Sequence, residues 1–360
     1  MNIIQSVPRL DGMGGECTAC VSQSVDLAKR GHAVTVVAGG KNVSEDILNM
    51  LDGINVIMMP PSLSAGKLDL PLSVKFLYNN IKIKPDIIHL HSYRTFQNIT
   101  FHKYAKQLGI PYILQAHGSL PIDLGKAHIK GAFDYLWGNK ILFDSTAVLA
   151  LTPLEIEQYL TLNVAPDKII ELPNGIDFEQ FKTPENGEEY KRKIGVPSNC
   201  KIFLFFGRVA KIKGVEILLR AYAKLNPSNN DISNSILIVC GPDFGILDDM
   251  KKLSKDLAIE KFVIFKSSVF GPEKVKMLAI SDINILPSFY DTFPMAFLEA
   301  GAMNKPTIVS DACGLSKLIK EISPRLVFKT GNATDLANNM RYLFIIHFGS
   351  RASITITLSV

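Results

Sequence analysis

Short apolar runs with no polar alternation recur along this chain, each followed by a stretch of helical periodicity. The first half reads "NIIQSV", a helix over 16–30, "AVTVVA", "INVIMM", a helix over 70–82, "PDIIHLH", a helix over 95–108, "PYILQAH", a helix over 132–145, "AVLALT", a helix over 153–162 and "KIIEL". Runs of this kind suit strands buried on both faces, and repeated β-α-β order predicts parallel sheets covered by helices.

The alternation pauses at "PNGIDFEQFKTPENGEEYKRKIGVPSNC" (173–200), rich in Pro, Gly, Asn and charge, with room for one short helix at 188–193. It then restarts. "KIFLFFG", "SILIVCG", "KFVIFK", "INILPS", "PTIVS" and "RLVFK" precede helices expected at 215–225, 246–257, 272–281, 294–303, 314–322 and 334–346. With 360 residues and 47% hydrophobic content, the chain can bury two cores. The expected class is α/β: two doubly wound parallel-sheet domains facing a cleft, residues 1–178 and 179–346. Residues 347–360 turn β-like and Ser/Thr-rich and are set apart as an atypical tail. In such sheets ligands bind beyond the carboxyl ends of the strands, so the informative residues are those just after each run.

Charge separates the halves. Up to Phe178 there are 15 Lys/Arg against 16 Asp/Glu, and from Glu179 on 24 against 18, so the net +5 comes from the second half. That balance suits an anionic ligand there, and equally a solvated basic face. No basic cluster interleaved with aromatics points to nucleic acid. The five cysteines are scattered, no window reaches 18 apolar residues, and the start has no secretory pattern. The expectation is a reduced, cytoplasmic protein. Cys17 and Cys20 form C-x-x-C without a redox or zinc context, which favours helix packing.

After the first run comes "DGMGGE" (Asp11 to Glu16), where Gly12, Gly14 and Gly15 allow close backbone approach at a helix start. A nicotinamide-binding unit would want an acid at the end of the second strand; "VVAGGKN" has none before Glu45. His117-Gly118 follows the fifth run, "PYILQA". There a histidine can donate a hydrogen bond to a hydroxyl or phosphate oxygen, or simply cap its own loop. His89 and His91 share one face of their strand, as cleft lining or as packing. In "GRVAKIKG", Arg208 and Lys213 flank a loop ahead of a helix, a fit for a diphosphate or a solvated basic loop.

Two acids, Asp291 and Glu299, stand eight positions apart in the apolar "LPSFYDTFPMAFLEAGAMNKPTIVS" (286–310). Asp291 falls in a loop and Glu299 about one and a half turns inside the following helix, which Pro294 opens. Two separated carboxylates with helix-start amides between them match a sugar–diphosphate–ribose ligand, not a metal pair.

Together "GGE", "LAKRGHAVTVV", "HG" at 117–118, "LPNGID" at 172–177, "GRVAKIKG" and the acid-x7-acid segment resemble the family-4 (group 1) retaining glycosyltransferases of GT-B fold, over Met1 to about Tyr342. The resemblance implies two Rossmann-like domains and metal-independent transfer from a UDP- or GDP-linked sugar to a glycan or lipid-linked acceptor, in surface polysaccharide or glycolipid synthesis. No cofactor or metal is implied, and no nucleic acid. Glu299 would bind the ribose hydroxyls. Asp291, with the backbone of Thr292, Phe293, Pro294 and Met295, would hold the donor sugar. Arg208 and Lys213 would neutralise the leaving diphosphate, Gly14 and Gly15 would crowd the phosphate and acceptor side, His117 would contact the sugar near the reacting carbon, and Asn174 would shape the cleft. Asp291 and Thr292 stand where the family usually has Glu and often Gly, which bears on sugar choice. Two Lys- and aromatic-containing helical stretches, "LPLSVKFLYNNIKIK" and "LGKAHIKGAFDYLWGNKILF", suit peripheral contact with the cytoplasmic membrane face or ordinary core packing. A sugar-nucleotide epimerase and a non-catalytic nucleotide-sugar binder are the competing readings.

Overall fold

The computed structural model describes residues 1–11, 14–40, 43, 45–60, 63–65, 68–70, 73–122, 125–182, 187–226, 232 and 234–349. They form two compact units, Met1–Gly175 and Ile176–Val360, dividing three residues before the expected boundary. The helix Ala333–Gly349 runs past His347, where the tail was expected to begin, and 350–360 lie outside the described residues.

Nine strands are described in the first unit: β1 (Asn2–Val7), β2 (Ala33–Gly39), β3 (Asn55–Met59), β4 (Leu63–Ala65), β5 (Leu68–Leu70), β6 (Ile87–His91), β7 (Tyr112–Gln115), β8 (Ala147–Ala150) and β9 (Ile169–Glu171). Seven of them form one sheet in the order β3-β2-β1-β6-β7-β8-β9, while β4 and β5 pair antiparallel by themselves. All pairings in the seven-stranded sheet are parallel. Its central strands are buried nearly throughout, which is why their sequences show no alternation. Helix ends follow local chemistry. Thr95 caps Phe96–Leu108 by accepting from the Asn98 N–H, and Gly109 closes it in the left-handed region. Thr152 caps Pro153–Thr161, with Pro153 in the first turn. The expected helix over 70–82 begins only at Val74, because Ser73 caps it there.

The second unit repeats the plan with β10 (Lys201–Phe206), β11 (Ser235–Cys240), β12 (Val263–Lys266), β13 (Ile283–Leu286), β14 (Thr307–Ser310) and β15 (Val327–Phe328). Their order is β12-β11-β10-β13-β14-β15, again parallel. Phe203 is buried beneath Tyr222 and stacks on Phe344 of the last helix, ring centres 5.9 Å apart in each case. A fully buried aromatic or aliphatic side chain of this size contributes about 1.5–3 kcal/mol.

Strand order reverses between β1 and β6 in one unit and between β10 and β13 in the other. A crevice opens at the carboxyl ends of strands at such a point, and Gly14, His117, Arg208, Lys213 and Asp291 follow strands there or beside it, whereas Asn174 follows the edge strand β9.

Candidate active site

In the second unit, the turn after β10 is pressed against that after β11. A Cβ on Gly241 would lie 1.9 Å from the Gly207 carbonyl oxygen, so only glycine fits. The next turn is braced on the far side. Gly214 sits at φ 69°, and a Cβ there would lie 2.0 Å from the Pro287 carbonyl oxygen. The Phe289 N–H donates to the Ile212 carbonyl at 2.8 Å. The basic loop and the exit of β13 are thus fixed on each other by backbone.

On that frame Lys213 Nζ meets Asp291 Oδ2 at 2.6 Å, with both side chains largely buried. Two residues assigned from sequence to different parts of a ligand are therefore one ion pair. Arg208 is exposed and stacks its guanidinium 5.2 Å from the Phe244 ring centre, which leaves its charge facing outward. The Asp291 carbonyl accepts from the Gly314 N–H at 2.8 Å, which ties the acid's backbone to the turn after β14.

Thr292 and Phe293 are buried, and the Thr292 hydroxyl donates to Tyr290 at 2.8 Å. Pro294 precedes the helix Met295–Ala302, and no side chain caps that helix start. Glu299 is 6% exposed and accepts from Lys274 Nζ at 2.9 Å. Lys274 in turn lies 5.6 Å from the Phe181 ring centre. Sequence reading missed Lys274: it stands on another helix, Gly271–Ile280, 25 residues before its partner, and nothing in its local pattern marks it.

The first unit's strand ends bring three uncharged side chains, Gln5, His91 and His117, into one hydrogen-bonded line. Gly14 (φ 109°) precedes the helix that begins at Gly15, again without a side-chain cap; Gly12 lies outside the described residues. His117 is held at φ 51° just past β7. Its Nε2 lies 2.8 Å from His91 Nδ1, and His91 Nε2 lies 2.7 Å from Gln5 Oε1. The His117 Nδ1, the His89 Nε2 and the Asn174 Oδ1 are buried without a hydrogen-bond partner. Burial pushes His117 and His89 down to about 3, His89 adding to the effect on His117. His91 is lowered too, by burial first and then by its two histidine neighbours. These rings are neutral.

The loop that carries His117 is anchored from three sides. Fully buried Glu155 accepts from the Gly118 N–H at 2.7 Å and the Leu151 N–H at 2.8 Å. Burial raises its pKa, against the lowering effect of those two N–H groups. Arg94 forms a two-pronged pair with Asp134 at 2.8 and 2.7 Å and donates to the Ser119 and Leu120 carbonyls. Tyr93 donates its N–H to the Ser119 hydroxyl. Asp134 opens a wide turn, Asp134–Gly138, that interrupts the expected helix 132–145.

Cys17 and Cys20 are buried in the helix Gly15–Lys29 and form no disulfide, and burial raises the pKa of Cys20. Among the described residues no three His, Cys, Asp or Glu side chains converge as metal ligands.

The charged, glycine-braced strand ends coincide with two family matches. Residues 14–180 match Glycosyltransferase Family 4, and residues 186–347 match Glycosyl transferases group 1. The chain belongs to the group 1 glycosyltransferases. This glycosyltransferase is 26% identical over 352 residues to D-inositol 3-phosphate glycosyltransferase of Stackebrandtia nassauensis, covering 92% of this chain and 79% of that one. It is 29% identical over 246 residues to the UDP-Gal:alpha-D-GlcNAc-diphosphoundecaprenol alpha-1,3-galactosyltransferase of Escherichia coli, with 66% and 61% covered. Among solved structures, HepE of Anabaena in complex with UDP and glucose superposes with a TM-score of 0.78 at 18% identity, over 97% of this chain and 90% of that one. WaaG, a glycosyltransferase involved in lipopolysaccharide biosynthesis, gives 0.72 at 18% identity, covering 95% and 90%. The two glycosyltransferase domains have the GT-B fold, as the sequence resemblance implied.

Proposed function

We propose that this glycosyltransferase moves a hexosyl group from a nucleoside diphosphate sugar to a hydroxyl of a glycan or lipid-linked acceptor, with retention at the anomeric carbon and without a metal ion. The observation that carries the reading is the ordered charge at the second unit's strand ends. Cleaving a sugar–phosphate bond leaves negative charge on the departing diphosphate. Lys213, Arg208 and the uncapped helix start at Met295 supply the opposite charge from fixed positions. Glu299, about one turn further on, would accept from the ribose hydroxyls, and Asp291, with the backbone through Met295, would hold the sugar. In the first unit His117 would contact the sugar near the reacting carbon, Gly14 and Gly15 would crowd the phosphate and acceptor side, and Asn174 would shape the cleft. Relatives and structural neighbours that handle UDP or a UDP-sugar support a uridine donor.

We assign the acceptor to a lipid-linked glycan at the cytoplasmic membrane face, in surface polysaccharide or glycolipid synthesis. Ile129, Tyr135, Leu136 and Phe143 are exposed along residues 127–144, beside Lys126 and Lys140. That combination suits an anionic lipid surface. No helix among the described residues is long and apolar enough to cross a membrane.

The deciding experiment is a thermal-shift panel with UDP, GDP, ADP and nucleotide sugars in EDTA, with Glu299→Ala alongside. Selective stabilisation by one nucleotide, lost in Glu299→Ala, is the expected result. A cooperatively melting protein that responds to none of them would overturn the reading. Transfer in EDTA, with the product's anomeric configuration read by NMR, tests metal independence and retention.

A further inference from the structure

We infer that Gln5 and His91 are positioning residues that hold His117 in its Nε2–H tautomer, so that the buried Nδ1 presents a lone pair and accepts a hydrogen bond from a ligand hydroxyl. The argument runs along the hydrogen-bonded line at the carboxyl ends of β1, β6 and β7. An amide oxygen only accepts. With Gln5 Oε1 2.7 Å from His91 Nε2, that ring nitrogen carries the proton. A neutral His91 then has a bare Nδ1, which can only accept. The contact at 2.8 Å requires the proton on His117 Nε2. The one nitrogen left in this line, His117 Nδ1, is therefore an acceptor, and it is buried without a hydrogen-bond partner.

Burial keeps both rings neutral, as the line requires. The groups around His117 fit this state. His89 packs on His91 with ring centres 4.1 Å apart, and His91 stacks on His117 at 5.1 Å. The adjacent Glu155 spends its carboxylate on the backbone N–H groups of Gly118 and Leu151 rather than on an imidazole. Gln5 is 1% exposed, so its amide is held in place by packing rather than by water.

The consequence narrows what the first unit recognises. A bare ring nitrogen repels a phosphate oxygen and welcomes an O–H. Of the two roles open to His117 from sequence, hydroxyl or phosphate, only the hydroxyl remains, and His117 accepts rather than donates. The assignment of that hydroxyl to a sugar rests on the glycosyltransferase reading; the tautomer does not.

The test is two-bond ¹H–¹⁵N correlation of the ring nitrogens in histidine-labelled protein without ligand. Seven histidines are assigned by single substitutions, including His117→Asn and His91→Asn. The expected result is a neutral ring for both His91 and His117 at pH 7, with a pyrrole-like Nε2 and a pyridine-like Nδ1. An Nδ1–H tautomer at His117, as a reversed Gln5 amide would impose, overturns the proposal, and so does a protonated ring. Gln5→Met keeps the bulk and removes the acceptor. In a variant that melts like the parent, His117 then populates both tautomers, and kcat falls about fivefold, the worth of one neutral hydrogen bond, with little change in KM. An unchanged His117 spectrum in Gln5→Met also overturns the proposal. If the tautomers are as expected but no sugar is transferred, the relay stands and the assignment of function fails.

Discussion

The two sets of strand ends solve different problems with the same topology. In the second unit the groups after β10, β12 and β13 are ions: Lys213 on Asp291, Lys274 on Glu299, and Arg208 facing outward. In the first unit the line formed by Gln5, His91 and His117 at the ends of β1, β6 and β7 consists of an amide and neutral rings, and the His117 Nδ1 and the neighbouring His89 Nε2 are buried without a partner. A buried neutral group with an unmet hydrogen bond waits for a neutral polar ligand, because the cost of leaving it unpaired is recovered when a hydroxyl arrives. A fixed ion pair beside a helix start suits a ligand whose charge changes during reaction.

The sharpest way to break this contrast is to attack the charge that the first unit does bury. Arg94 and Asp134 are each 8% exposed in their side chains. Asp134→Ala strands the guanidinium and should cost about 3–5 kcal/mol, read by chemical denaturation. A loss under 1 kcal/mol would mean the pair is solvated.

Next is Lys213→Ala. It removes a cation from the proposed leaving-group side and leaves the largely buried Asp291 unpaired, so the melting temperature should drop and kcat, read where the variant is still folded, should fall about 100- to 1,000-fold. A matching rise in KM with kcat intact would place Lys213 in ground-state binding instead.

The third prediction separates the units by pH. His89 and His117 are held near about 3 by burial, whereas a free imidazole protonates near 6.5. The unfolded chain therefore takes up protons that the folded one refuses. Stability is complete above about pH 6.5 and falls as pH drops from there toward 3, by about 1–2 kcal/mol per ring between pH 7 and pH 5. The second unit carries a single histidine, His347. Hydrogen exchange at pH 5 against pH 7, corrected for intrinsic rate, should speed up in residues 1–175 and not in the second unit. Equal acceleration in both would refute it. The smallest effect is that of Lys274→Met, which removes the partner that orients Glu299. Calorimetry should show UDP binding weakened about fivefold, with kcat unchanged.

Much of the fold was written in local pattern. "NIIQSV" is strand β1 end to end, and the short helix expected at 188–193 is Gly187–Lys193. Buried parallel strands and capped helices leave signatures within a few residues. The β4–β5 pair, the short helix Glu45–Met50 and the wide turn at Asp134 escaped, because each is either very short or set by a distant partner such as Arg94. The site divides the same way. His117, Arg208, Lys213 and Asp291 were singled out because strand-end position is a sequence property, and Glu299 by its spacing from Asp291. Their pairings were not: Gln5 and His91 lie 86 residues apart, and Lys213 and Asp291 lie 78 apart.

The close fit of Gly214 against Pro287 sets a rule for anyone altering donor choice. Because one loop's backbone fills the space a side chain would need on the other, the basic turn and the segment from Pro287 to Asp291 are a single mechanical part. Grafting the segment from Pro287 to Asp291 alone from a relative would leave the basic turn pressing on a foreign backbone. Recombination between these two segments should be tolerated only when both come from the same parent.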